Sequence, residues 1–285
     1  MKWSKYKKVP ILVASFGDKV RGNYLPHIRL SCLTTQVVQV NDSSVIVSAL
    51  YSLLADSQQT SLDQVMNYYP TLRYNGPDGK EVAEIQNKYF LMFNETKVMR
   101  TKEDIVEERK WRKWVDDTLV HMLSPNVYRT PTEALDAFKW FNQVGNWERH
   151  FSWWERNLVI YFGALVMYIL GNFVLKKRHN LKDDVRESLY DECNRWTKAI
   201  DKKGGEFMGG SKPNLSDLAV FGVLNAIEGC EAFQVKSACG NTSPIRLFIS
   251  VQDARVRTKI GVWFDRMKAV VSTSGGKDLV AAFNN

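Results

Sequence analysis

Residues Asn41–Ser48 read NDSSVIVS, and the fold turns on how this stretch is read. Asp42 and Ser43 are N-capping residue types, and an apolar run follows at once in Val45, Ile46, Val47, Ala49, Leu50, Leu53 and Leu54. A helix is therefore expected from here to about Asp56. The first N–H groups of a helix lack internal partners and lie at the positive end of its dipole, so this end suits a carboxylate. The Ser43 hydroxyl adds a donor, and the Asp42 carboxylate accepts from an ammonium group. On this stretch alone the first reading is an ordinary N-cap, and the other is a clamp for the zwitterionic end of a peptide.

Upstream, Val9–Ala14 (VPILVA) reads as a short buried strand by its apolar, β-branched content. Pro10 sits near the strand's start, where it costs no interior ladder bond, or else marks a cis peptide whose backbone is open to a bound peptide. Ser15–Thr35 has no period and reads as a loop or insertion. Gln36–Val40 alternates weakly and reads as the next strand.

A chain of 285 residues with 45% hydrophobic and 25% charged residues can bury a core and is expected to form two domains. The net charge of +8 is uneven: residues 1–30 hold seven Lys and Arg against one acid. A basic leader on a nearly balanced body argues against a nucleic-acid groove. The four cysteines, Cys32, Cys193, Cys230 and Cys239, show no CxxC or zinc spacing, which fits a reducing compartment. No apolar run follows the basic start, so the N-terminus does not read as a signal peptide.

Downstream, Asp63–Lys80 reads as a short helix ending near Tyr69-Pro70, then a turn at Asn75–Gly79, and is taken as the link between domains. From Glu103 the pattern becomes helical. Trp111, Val115, Leu119 and Met122 recur at helical spacing and should face a core, while another face carries Trp114, Asp117, His121 and Ser124. Asp117 is placed to hold His121 in one orientation. Ser124-Pro125 should end this helix, and Thr130–Glu133 should cap the next. Asn157–Leu175 runs nineteen residues without a charge, before Lys176, Lys177, Arg178 and His179. It reads either as the buried helix of an all-α domain or as a helix that spans or touches a membrane. Asp183–Ile200 is amphipathic. Asn214 with Asp217 reads as a capping box for an apolar helix over Leu215–Ile227, and a last amphipathic helix covers about Lys259–Val271.

A strand with a Val-Pro step, a D-S-S helix cap and a helical domain whose central helix has a capping box together resemble a glutathione transferase fold. KVPILV, NDSSVIVSAL, GKEV, SPNVYRTPTEAL and FMGGSKPNLSDLAVFGVL further resemble the membrane-associated prostaglandin E synthase type 2 family. The resemblance covers about Ser4–Ala14, Val40–Glu231 and the final helix. It implies an α+β chain. A partial thioredoxin-like domain would occupy 1–58, with an insertion near 15–39. A linker region would follow over 59–102, then an all-α transferase-like domain over 103–285 with an insertion near 235–252.

The resemblance implies a glutathione-dependent isomerase that turns prostaglandin H2, a lipid endoperoxide, into prostaglandin E2. The alternative is a catalytically inactive module that binds glutathione or haem. Glutathione would meet Val9, Pro10, Asp42 and Ser43. Haem, with glutathione supplying a thiolate to the iron, would meet His121, Ser124 and Arg178, although Val174 stands where the family has a second arginine. Members form homodimers and associate with Golgi or mitochondrial membranes, so the expected place is the cytoplasm or its membrane surfaces. The family's Y-x-x-C-P-F-C motif would lie ahead of residue 1. A thiolate at a helix N-terminus is the family's reactive group, and no cysteine here takes that role by motif. Cys32 reads as structural.

Overall fold

The computed structural model describes residues 11–16, 36–56, 60–93, 100–228 and 254–273. Val9, Pro10 and the insertion expected near 235–252 lie outside the described residues. The insertion expected near 15–39 is described only at its ends, which are strand. The chain divides into two compact units after Arg109.

In the first unit, β1 (Ile11–Phe16) pairs antiparallel with β2 (Gln36–Asn41), in a register that runs from Ile11 opposite Asn41 to Phe16 opposite Gln36. The chain passes straight from β2 into α1 (Ser43–Ala55) through Asp42. A capping box at Ser61 then starts α2 (Leu62–Met66), and the turn at Asn75–Gly79 closes a hairpin of β3 (Thr71–Asn75) and β4 (Glu81–Ile85). The stretch read as a linker is thus structured over 60–93. Leu62, Val65 and Tyr69 share a core with Val40, Val45 and Ala49, because α1 and α2 each turn one apolar face inward.

The second unit is all-α. α3 (Lys102–Trp114), whose first residues belong to the first unit, continues through a π-helical turn, Val115–Leu119, into α4 (Val120–Val127). Trp111, Val115, Leu119 and Met122 are buried as expected. Trp114, read onto another face, is buried too: it lies three residues from Trp111 and packs edge-on to it at 5.0 Å between ring centres. Pro125 does not end the helix. Asn126 Nδ2 donates to the Met122 carbonyl at 2.8 Å and to the Val185 carbonyl at 3.1 Å, which secures the chain beyond it.

Thr130 caps α5 (Pro131–Val144) by accepting from the Glu133 N–H at 3.1 Å. A capping box at Ser152 opens α6 (Trp153–Ile169), which runs through a second π turn, Leu170–Leu175, into the short α7 (Lys176–Arg178). The reading of Asn157–Leu175 as a fully buried helix is overturned: of the most apolar window in Trp153–Arg178, 17% is buried. Length and composition alone would let this helix cross a membrane.

α8 (Val185–Lys203), α9 (Leu215–Asn225) and α10 (Ala254–Ser272) complete the unit. Their shared core centres on four indoles: Trp196 packs edge-on to Trp111 and Trp263, at 5.2 and 5.6 Å between ring centres, and lies parallel to Trp114. The molecule is an α+β protein with a partial thioredoxin-like part and a helical C-terminal part.

Candidate functional site

The N-terminus of α1 is built around one strained residue. Asp42 has φ 79° and ψ 124°, a conformation that costs a non-glycine residue of order 1–3 kcal/mol and persists where the surroundings fix it. Four contacts do so. Its Oδ1 accepts from the N–H of Ser44 at 2.9 Å and of Val45 at 3.4 Å, its carbonyl accepts from the Ile46 N–H at 3.0 Å, and the Lys88 ammonium lies 2.8 Å from Oδ2. Lys88 is itself anchored, since its carbonyl accepts the Ser48 hydroxyl at 2.7 Å. One turn further along α1, the Ser52 hydroxyl donates to the Ser48 carbonyl and accepts from the Met92 N–H, while Tyr69 donates to the Phe90 carbonyl. Serines on one face of α1 thus clamp residues 88–92 beside its first turn.

This end of α1 can take a zwitterion. A carboxylate has about four lone-pair sites, and two amides and one ammonium leave Asp42 room for another donor. Ser43 is exposed, and neither its N–H nor its hydroxyl has a partner among the described residues. The first described residue of β1, Ile11, is paired with Asn41, the residue before Asp42. Val9 and Pro10 lie outside the described residues. Lys88 was missed in the sequence because nothing in its local pattern ties it to a position so far upstream.

In the second unit, the expected pairing of Asp117 with His121 does not form. Asp117 holds Lys113 at 2.7 Å instead, because the π turn takes residues 117 and 121 out of helical register. His121 stacks on His179, with ring centres 4.2 Å apart and planes 11° from parallel. Burial holds the His179 imidazole below its usual range, and the charges of His121 and Arg178 act in the same direction. His121 and Arg178 are therefore brought together around His179. Ser124 sits one turn along α4 from His121, and its hydroxyl has no partner among the described residues. Two imidazoles, a guanidinium and a hydroxyl suit an anionic group such as a haem propionate; none of them is specific to iron. Among the described residues no three His, Cys, Asp or Glu side chains gather as a metal site. Val174, in the second π turn, is an exposed apolar residue.

Cys193 on α8 is buried, and its thiol is pushed up to about 12 by burial first and the Glu192 charge second. It is no thiolate near neutral pH, and the other three cysteines lie outside the described residues.

No family model matches the chain. Curated relatives do. It is 46% identical over 236 residues to prostaglandin E synthase 2 of Mus musculus, a match covering 82% of this chain and 55% of that protein. It is 39% identical over 271 residues to prostaglandin E synthase 2 of Danio rerio, covering 94% of this chain and 60% of that protein. The chain thus spans little more than half the length of these relatives. Identity at that level over most of the chain supports one assignment, the prostaglandin E synthase 2 family.

Proposed function

We propose that this chain is a prostaglandin E synthase-like isomerase that uses glutathione to convert prostaglandin H2 to prostaglandin E2. The observation that carries the proposal is the strained, acid-capped start of α1, with Lys88 against Asp42 and an unpartnered Ser43 beside it. Glutathione bound there supplies the thiol that opens a cyclic peroxide. The chain's own residues bind and orient. Asp42 accepts from the ammonium of the γ-glutamyl end, while the Ser43 N–H and hydroxyl donate to its carboxylate, favoured by the helix dipole. Lys88 offsets the Asp42 charge that would otherwise repel that carboxylate. The backbone of Val9, before Pro10, is the family's remaining contact. His121, Ser124 and Arg178 are proposed to hold the acidic edge of a haem.

One observation favours the second reading, a glutathione- or haem-binding module without isomerase activity: the one described cysteine is held as a neutral thiol. Two measurements decide. Calorimetric titration of the full chain with glutathione should give binding that drops at least tenfold in Asp42→Asn, a variant that keeps an N-capping oxygen but not the charge. Product analysis after adding prostaglandin H2 and glutathione should show prostaglandin E2 forming faster than without protein. Binding without turnover selects the module, and no binding at all removes the clamp.

A further inference from the structure

We infer that the second unit carries a binding site of its own, a cleft between α8 and α10 that takes a single α-amino acid with an apolar side chain. Ile200 and Asp201 on α8 and Lys259, Val262, Trp263 and Arg266 on α10 line about 230 Å³ of open space. The four α10 residues stand at i, i+3, i+4 and i+7, so they share one face of that helix. Ile200 and Trp263 are buried and Val262 is exposed, which makes the lining between the charged groups apolar. Gly204 ends α8 in the left-handed conformation, φ 74°, and the turn after it brings Glu206 to the cleft. That turn is tight. The Glu206 N–H donates to the Gly210 carbonyl at 3.1 Å, and a Cβ at Gly205 would fall 2.8 Å from the Gly210 Cα.

The two charged pairs of the cleft differ. Lys259 is closed onto Asp201 at 2.5 Å. Arg266 and Glu206 stop 3.8 Å apart, beyond hydrogen-bond reach, and neither side chain has another partner among the described residues. A guanidinium has five donors and a carboxylate about four acceptor sites, so both groups are open to a ligand. They are 45 and 61% exposed, and a pair so well solvated costs little to part. An open guanidinium beside an open carboxylate is the charge complement of an α-amino acid. The ligand's carboxylate takes Arg266 and its ammonium takes Glu206, with the negative end of the α8 dipole favouring the ammonium. Size then selects the ligand. Sites for drug-sized molecules enclose about 300–1,000 Å³, so this smaller cleft turns away a tripeptide or a prostaglandin. Lys259 and Arg266 lie seven residues apart, roughly 10 Å along α10, so one amino acid meets only the open pair and lays its side chain over Val262 and Trp263. The site shares no residue with the start of α1, so it and the glutathione reading fail separately.

The test is saturation-transfer NMR of the full chain with L-phenylalanine as the probe, titrated to about 10 mM. A saturable signal is expected. L-phenylalaninamide, which lacks the carboxylate, and N-acetyl-L-phenylalanine, which lacks the ammonium, should each bind roughly tenfold more weakly, as should phenylalanine itself to Arg266→Gln and to Glu206→Gln. Val262→Trp fills the cleft without touching a charge and should abolish the signal. The two analogues are measured on the native chain, so the inference stays testable whatever a variant does to folding. A native chain that gives no saturable signal overturns it. So does N-acetyl-L-phenylalanine binding as well as the free amino acid, which would make the cleft an anion site. Binding that survives Val262→Trp, or that falls in Asp42→Asn, places the probe elsewhere and overturns it as well.

Discussion

The ammonium of Lys88 lies 2.8 Å from Oδ2 of Asp42, with about a quarter of each side chain exposed. For stability such a part-exposed pair contributes at most about 1 kcal/mol. For a ligand it matters more, because it sets the charge a zwitterion meets at the start of α1. Lys88→Met is therefore expected to leave the melting temperature within a few degrees of native and to weaken glutathione about five- to tenfold. The loss should shrink at high salt, as for any partly screened charge. Calorimetry at two ionic strengths checks this, and equal affinities for native and variant would show that Lys88 only braces the cap.

A second expectation concerns the stacked imidazoles. His179 has its protonation disfavoured in the folded chain, by burial and then by His121 and Arg178. A histidine whose folded value is lowered contributes stability that is present above its unfolded value of 6.5 and is lost as pH falls through the folded value. Urea midpoints of the native chain should accordingly drop between pH 7 and pH 5, more steeply than those of His179→Gln. The partial exposure of the pair keeps the difference modest. Identical slopes for the two proteins would mean that the stacked rings do not repel.

Much of this architecture can be read in the residues because it is written in local chemistry. Caps at Asp42, Thr130 and Asn214 announce three helices, since a short polar side chain that satisfies an orphan amide leaves a signature within four positions. Burial of Trp111, Val115, Leu119 and Met122 follows from their spacing. What escapes is whatever depends on a break in that spacing or on distance. The π turn at Val115–Leu119 adds a residue to the helix without any glycine or proline to mark it, and so unmakes the Asp117–His121 pair. Lys88 reaches Asp42, and His179 reaches His121, across several intervening elements, a distance that no periodicity predicts. The outward face of α6 is invisible for another reason: an apolar run looks the same whether the fold covers it or leaves it bare.

Asp217 gives the largest expected stability effect. It is fully buried, and its two oxygens accept four donors at 3.0 Å: the N–H groups of Met208, Gly209 and Asn214 and the indole N–H of Trp263. Burial pushes the carboxyl up, and those four bonds pull against it. Asp217→Ala strands the donors and should cost about 3–5 kcal/mol, with Asp217→Asn in between. Gly209→Ala is expected to be severe for a steric reason at the same place, since its Cβ would fall 2.2 Å from the Lys212 carbonyl oxygen. Thermal melts of the three variants rank them. An Asp217→Ala protein as stable as native would mean that water replaces the carboxylate.

Cys193 offers the sharpest separation of structure from chemistry. A thiol held at about 12 has almost no thiolate at neutral pH, and the thiolate is the reactive form. Disulfide-exchange reagents should therefore modify it only at the rate of unfolding, and denaturant should release it at once. Cys193→Ala removes one sulfur from a packed core and should cost about 1–2 kcal/mol. Because nothing in its surroundings lowers its proton affinity, the same change should leave glutathione affinity and any isomerase rate where they were. A turnover number that falls with this substitution, in protein still folded at the assay temperature, would relocate the reactive sulfur to α8 and undo the assignment of that role to bound glutathione.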